Sequence, residues 1–354
     1  MEIRVYNPQL QLIGIVENYS SLIWNRKYSA AGDFELHVAI TADNVNYLRL
    51  GNIISYSGAI EAGVIENIQL QESSSNSDFI LKGRFLESYL DRRLIYGNNT
   101  PTYNFSGLLE TAMRNLVSNA KAIPLLELGE VNGFTETVTF QATYQNLLKY
   151  ESKLADSVGW GFRCAPDFVN KKIYFRIYKG LDHTETQSDR VRVVFSEEYK
   201  NLSGAIYTEN DQLLKTVCYV GGQGEGVDRT WVVVGDTSAT GLALREVKLD
   251  ATDVNNNDLT QQEYEDKLKQ RGNELLENTD IFVNSFECET IPNGNFIYKV
   301  HYDLGDIVTL KKDSWGLSSD LRITEMSEVY ERDKTTIIPT FGSALPDTID
   351  WEDK

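Results

Sequence analysis

The sequence predicts a mainly β fold with α+β content: two related β-barrel domains flanking a small α+β domain. Three observations carry this. Short apolar stretches with period-2 alternation fill both ends of the chain. Between about residues 96 and 190 the texture changes to helices followed by a hairpin. Three blocks near the start recur, in order, near the end. A chain of 354 residues exceeds what one core usually organises, so internal boundaries are expected at 1–95, 96–190 and 191–345, with 346–354 as an acidic tail.

The first region reads as strands. Met1 to Tyr6 opens it, and Ile13, Ile15 and Val16 precede a turn. Phe34, Leu36 and Val38 alternate with Glu35 and His37, the pattern of a half-buried strand. Ile53-Ile54, Val64 to Ile68 and Phe79 to Leu81 supply further strands, and the polar run Ser73 to Asp78 reads as a hairpin loop. Gly97-Asn98-Asn99-Thr100-Pro101 is turn-rich. A helix is expected after it, with Ser106 as N-cap and Leu108, Ala112 and Leu116 on one face. A second helix carries Tyr144, Leu147, Leu148, Glu151, Leu154, Ala155 and Val158, and Gly159 sits where a left-handed C-terminal residue is wanted. A hairpin follows: 161–164, a turn at Asn170-Lys171, and 173–178.

In the third region, strands are expected at Val191–Phe195, Ala205–Tyr207, Val217–Val220 and Trp231–Val234, with a glycine loop at 221–226. One helical insertion interrupts it near 260–278. Thr260-Gln261-Gln262-Glu263 fits a capping box, in which Thr and Glu satisfy each other's backbone N–H groups. Tyr264, Leu268 and Leu275 form its apolar stripe, and Glu263–Lys267 and Glu265–Lys269 stand at i,i+4 spacing. Strands resume from Ile281.

The recurrence is the most informative feature. Leu50-Gly51-Asn52-Ile53-Ile54 resembles Leu304-Gly305-Asp306-Ile307-Val308. Gly63 to Ile68 resembles Leu321 to Met326, and Phe79 to Phe85 resembles Thr335 to Phe341. Leu-Gly-Asn/Asp makes a tight turn, because Gly takes positive φ freely and Asn or Asp bonds its own backbone. The β-branched residues after it start a strand. Two related modules per chain would place six around the axis of a threefold ring.

Composition narrows the function. A formal net charge of −18 disfavours specific nucleic-acid binding, since an acidic surface repels phosphates. Cys164, Cys218 and Cys288 are far apart, form no C-x-x-C and are odd in number; they read as buried free thiols. No basic-then-apolar leader opens the sequence and no apolar run approaches the roughly 20 residues needed to span a bilayer, so no membrane insertion by this chain is expected.

The sequence assigns no catalytic, cofactor-binding or metal site. His37, His183 and His301 form no H-E-x-x-H and pair with no cysteine at zinc spacing. The glycines of 221–226 lack dinucleotide spacing. Asp253 to Asp258 opens like a calcium loop, but Asp258 stands where Gly is needed and Tyr264 where Glu is needed. Asp91, Glu151 and Asp156 are the carboxylates that a glycosidase reading would use, and nothing in sequence sets them apart from surface charge.

Gly32-Asp33-Phe34-Glu35-Leu36, Gly51-Asn52-Ile53-Ile54 and Gly63-Val64-Ile65-Glu66 resemble the tail-hub proteins of siphophages infecting Gram-positive hosts, whose longer members are tail-associated lysins. So do Tyr144-Gln145-Asn146-Leu147-Leu148, Gly159-Trp160-Gly161-Phe162-Arg163 and Tyr302-Asp303-Leu304-Gly305-Asp306-Ile307-Val308. The resemblance covers roughly residues 1–345, and that family is similar in fold to the baseplate hub of contractile-tailed phages. It implies a structural virion protein at the tail tip, a homotrimer joining a sixfold tube to a threefold tip. Its partners would be the distal tail protein or tail tube, the tape-measure protein C-terminus, and fibre or receptor-binding proteins. The ring would gate passage of tape measure and DNA, and an acidic lumen would keep DNA from sticking. The sequence ends at Lys354, so a lysin role is not expected. The alternatives are a tail-associated peptidoglycan hydrolase or a carbohydrate-binding module, the latter because tyrosine-rich β-barrels often bind glycans.

Overall fold

The computed structural model of the chain describes residues 1–72, 77–97, 100–212, 214–254, 256, 259–279, 283–290 and 295–342. Ser73 to Asn76 of the expected hairpin loop, the Asn98-Asn99 turn, Asn255, Asn257 and Asp258 of the calcium-like loop, the strand start at Ile281 and the acidic tail lie outside these. Two compact units emerge. One comprises Met1–Ile206 and Phe286–Ala344; the other is built on Tyr207–Ser285.

Strands β1 (Ile3–Tyr6), β2 (Leu12–Val16), β3 (Tyr19–Lys27) and β4 (Asp33–Val38) lead into helix α1 (Ala42–Tyr47), then β5 (Ile53–Tyr56), β6 (Gly63–Glu72) and β7 (Ser77–Phe85). In β4 the alternation is realised: Phe34, Leu36 and Val38 are buried, while Asp33, Glu35 and His37 are only partly covered. Trp24 of β3 anchors the core between Phe34, Tyr56 and Phe85, with ring centroids 4.4 to 5.9 Å away. Gly83 is required where β6 and β7 approach, because a Cβ there would lie 1.8 Å from the Val64 carbonyl oxygen.

The middle of the chain contributes α2 (Ser88–Asp91), β8 (Thr102–Leu108), α3 (Leu109–Asn119), β9 (Leu126–Leu128), β10 (Thr137–Thr143), α4 (Leu147–Asp156), β11 (Gly161–Asp167) and β12 (Lys172–Tyr178). Ser106 does not cap a helix. It lies in β8, whose seven residues pair with β10, and its hydroxyl bonds the Thr139 hydroxyl at 2.9 Å. Helix α3 therefore starts three residues later, after Leu108, without a side-chain cap. The second helix buries Leu147, Leu148, Glu151, Leu154 and Ala155 of its expected face, whereas Tyr144 lies outside it, exposed and at φ +49°, and Val158 follows its end. Asn146 caps it by accepting from the Lys149 N–H at 3.0 Å, and Gly159 adopts φ +67° after its end.

After β13 (Val194–Ser196), strand β14 (Leu202–Asn210) carries the chain into the second unit. There β15 (Val217–Gly221), β16 (Trp231–Gly235) and β17 (Glu246–Asp250) form one sheet in the order β16-β15-β17, packed on helix α5 (Gln261–Thr279). The insertion is thus larger than the helix read near 260–278. Its capping box is present: the Glu263 carboxylate accepts from the Thr260 N–H at 2.8 Å and the Thr260 hydroxyl accepts from the Glu263 N–H at 3.3 Å. On α5, Lys269 pairs with Asp266 at i,i+3. Strand β18 (Val283–Thr290) returns to the first unit, followed by β19 (Ile307–Lys312), β20 (Leu317–Glu331) and β21 (Thr335–Gly342).

The expected pair of β-barrels is corrected here. Among the described residues no barrel closes. The ladders follow one open path, β14-β18-β21-β20-β3-β4-β7-β6-β5-β1-β2, with β19 on β20 and β13 on β19. The physical reason is that β20 is long enough to leave its own module: Leu317–Arg322 pairs with β19, while Glu325–Glu331 pairs with Lys27–Ser21 of β3.

The recurrence in sequence is a duplication in structure. β3-β4-β7-β6-β5 and β14-β18-β21-β20-β19 have the same strand order. The turn before each third strand is built alike. The Gly51 N–H donates to the Ile65 carbonyl and the Ile65 N–H to the Asn52 carbonyl, each at 2.8 Å. The Gly305 N–H donates to the Ile323 carbonyl and the Ile323 N–H to the Asp306 carbonyl, again at 2.8 Å. Both glycines have positive φ, +83° and +95°. Each module bulges immediately afterwards, between Ile65 and Asn67 in one and between Ile323 and Glu325 in the other. The second unit occupies the place of the short Tyr28–Gly32 link of the first module.

The middle region buries two carboxyls, Glu87 and Glu151, that form no salt bridge among the described residues. Glu87 accepts from the Cys164 N–H at 2.7 Å with one oxygen. Its other oxygen, both Glu151 oxygens, the Ser88 hydroxyl and the Trp160 indole N–H have no hydrogen-bond partner among the described residues. Burial pushes the Glu87 carboxyl up to about 7 and raises Glu151 well above the usual carboxylate range. The folded state therefore holds protons that the unfolded chain releases near pH 4.5, so stability falls as pH rises from there towards 7. Glu87 alone accounts for about 3 kcal/mol of that loss, and Glu151 adds in the same sense. Denaturant titrations at pH 5 and pH 8 are expected to show this decline. Glu151→Leu should raise stability at pH 8 and flatten the profile.

Candidate functional site

The first unit concentrates its buried charge where the two modules meet, along the β20–β3 ladder. Opposed residues there alternate in character. Met326 faces Arg26, Glu328 faces Trp24 and Tyr330 faces Leu22, while Glu325 faces Lys27 on the other side of the sheet. Arg26 and Glu328 are essentially inaccessible, so their charges demand partners.

Both find them. The Arg26 guanidinium donates to one Glu61 oxygen from Nε and Nη2 at 3.0 and 2.9 Å, and from Nη1 to the Asp303 carboxylate at 2.6 Å and the Tyr298 hydroxyl at 2.5 Å. Glu328 accepts from the hydroxyls of Tyr56, Tyr298 (2.8 Å) and Tyr330 (2.6 Å), and Lys299 lies 2.9 Å away. The Tyr298 hydroxyl thus connects the two halves. Burial alone would lower the Arg26 guanidinium, yet Glu61, Tyr298 and Asp303 hold it charged. Burial would likewise lift Glu328, but Lys299 and the tyrosine hydroxyls pull its carboxyl below the usual range. Burial and the neighbouring Glu328 carboxylate push the Tyr56 phenol far up, so that it remains a donor. Arg163 stacks 3.8 Å over Tyr178 and approaches Glu61 at 3.6 Å.

This network is a clamp and offers no reacting centre: every hydroxyl is a donor to a carboxylate, and every carboxylate neutralises a cation. In sequence, Arg26, Glu61 and Glu328 look like ordinary charges and are separated by up to 302 positions, while Asp303 and Arg163 stand out only as parts of the blocks that carry the resemblance.

The residues that sequence did single out are not brought together. His37 lies between Glu35 (2.7 Å) and Asp78 (2.8 Å) on a sheet face. His183 bonds the Val191 carbonyl through Nδ1, and His301 Nδ1 accepts from the Ile297 N–H. Cys164, Cys218 and Cys288 are buried free thiols, and burial pushes Cys288 up to about 12, which makes it unreactive. Asp91 pairs with Arg84 and bonds Asn146, Asp156 accepts from Ser29, and Glu151 is enclosed in apolar surroundings. In the glycine segment, Arg229 ties down the carbonyls of Gly221 and Gly222. Asp253 of the calcium-like loop pairs with Arg271. Among the described residues no group of three or more metal-ligating side chains converges, and no helix is long and apolar enough to cross a membrane.

The clamp yields a specific expectation. Arg26→Leu leaves Glu61 buried with only the more distant Arg163, and should cost about 3 kcal/mol or more in denaturant titration. Adding Glu61→Leu should recover a large part of that loss.

Comparison with known proteins adds the following. The family described as Siphovirus ReqiPepy6 Gp37-like protein matches residues 2–343. Among solved structures, the chain is similar to a tail protein from Neisseria meningitidis MC58, with 13% identity, 96% of each chain covered and a TM-score of 0.58. It is similar to the 43 kDa tail protein of prophage MuSo2 from Shewanella oneidensis, with 12% identity, 96% and 98% covered and a TM-score of 0.57. It is also similar to prophage tail protein gp18 from Listeria monocytogenes EGD-e, with 14% identity, 98% and 96% covered and a TM-score of 0.51. Comparison with curated proteins gives no match. Identities this low establish a shared fold, that of phage tail proteins, and the match along almost the whole length establishes more: the chain belongs to the Siphovirus ReqiPepy6 Gp37-like family.

Proposed function

We propose that this protein is a non-enzymatic structural subunit of a phage tail: a homotrimeric tail-tip hub that joins a sixfold tube to a threefold tip and gates the passage of tape measure and DNA. The observation that carries the reading is the duplicated five-strand module with its repeated turn and bulge. A cyclic trimer of a two-module chain presents six similar surfaces to a sixfold partner and three to a threefold one. In this reading 1–95 and 191–345 carry the ring, 96–190 carries a separate docking surface, and 346–354 is an acidic tail. The partners are the distal tail protein or tail tube, the tape-measure C-terminus within, and fibre or receptor-binding proteins beyond. The net charge of −18 suits a lumen that repels DNA.

A second reading is a carbohydrate-binding module. It is favoured by one face of the second unit's sheet, where Trp231 and Tyr219 stand exposed beside Lys248. Saturable binding on a glycan array, abolished by Trp231→Ala, would favour it.

Light scattering of the purified chain across a concentration series tests the hub. The expected mass is three times the 40.1 kDa of the chain, and averaged images should show a threefold ring. A species with any other symmetry overturns the reading.

A further inference from the structure

One joint between modules is formed inside the chain, and the duplication leaves its counterpart open. In that joint, Glu325–Glu331 of β20 pairs with Lys27–Ser21 of β3. By the matching bulges, Asn67 corresponds to Glu325, Ile68 to Met326 and Leu70 to Glu328; by strand order, β14 corresponds to β3. On its β5 side, β6 is paired only at Gly63 and Val64, so among the described residues Asn67–Gln71 has no ladder there. The sheet path ends at β14.

The side chains agree with an unfilled joint. Met326 and Glu328, which face β3 inside the chain, are completely buried, whereas Leu70, at the Glu328 position, is 53% exposed. Ile206, on the open strand β14, is 57% exposed. An exposed apolar side chain on each of two unpaired edges is a liability that proteins avoid unless the edges are covered.

We infer that Asn67–Gln71 of one copy pairs with the outer edge of β14 of a second copy, repeating head to tail the joint that each chain makes internally. The occupant is another copy of this chain because the complementary edge is already present in it. An interface of two different edges propagates and closes into a ring when the rotation permits. The inference rests on the proposed assembly of several copies, and deepens it by naming the surfaces. Leu70 supplies an aliphatic contact where the internal joint has the Glu328 cluster, so this second joint is drier and can form after folding.

The test uses the full chain with p-benzoylphenylalanine in place of Leu70, mixed with an isotope-labelled copy and irradiated. The expected product links residue 70 of one copy to the peptide containing 202–210 of the other. In parallel, Leu70→Lys and Ile206→Lys should each abolish the oligomer at concentrations where the parent chain is assembled. Val169→Lys, at an exposed turn, should not. Unchanged melting temperatures would show that the variants fold. An oligomer whose cross-links fall on β2 or on a second β6, or which survives both lysine substitutions, overturns the edge assignment while leaving the hub reading intact. A parent chain that stays monomeric and yields no cross-link between copies overturns both.

Discussion

A β-strand has two hydrogen-bonding sides, and β20 uses this limit to join two modules. Its first half is held by β19 and its second half by β3, while β21 lies along the other side. Neither module can then close on itself, and the sheet continues from one into the other. The relative placement of the duplicated modules in the first unit depends on this strand crossing from one to the next. The bulges after Ile65 and Ile323 add to it: one extra residue re-aims the strand and fixes which side chains face the core.

The seam is sealed by charge instead of by apolar packing alone. Arg26, Glu61, Asp303, Tyr298 and Glu328 form a network whose desolvation is expensive and whose net stabilisation is accordingly modest. Its value is discrimination. An aliphatic seam tolerates a slipped register, whereas a guanidinium clamped by two carboxylates and a phenol fits one alignment of β20 on β3. The second unit enters where the first module has a five-residue link, so its insertion leaves the ladders of the shared sheet undisturbed. Likeness in fold to phage tail proteins at 12 to 14% identity fits this picture, since the same topology is held by different side chains.

What could be read from sequence was local. The alternation of Phe34, Leu36 and Val38, the capping box at Thr260 and the turn after Leu50 are each decided by a few neighbouring residues, and each is present. The duplication was legible because its turn demands Gly followed by Asn or Asp. Its third block was legible only in order: the bulge sets Phe79 against Ile337, two residues beyond the alignment that apolar character suggested. Runs of β-branched residues carry no register of their own. Ser106 misled because a cap signal cannot be told from a strand serine until β10 supplies the partner. The open path in place of barrels, and the Arg26 clamp, were illegible for the same reason: both are made by pairing residues some 300 positions apart.

The β20–β3 ladder also has a mechanical character. Its seven residue pairs lie side by side along one axis. Tension applied along the strands loads all seven together, as in a lap joint under shear; tension applied across them opens one pair at a time, as in a zip. At about 3.3 Å per residue the fifteen residues of β20 extend roughly 50 Å, and one continuous backbone carries the load from one module to the next. Under tension along its length, this continuous strand would resist better than two separate barrels tethered through a loop.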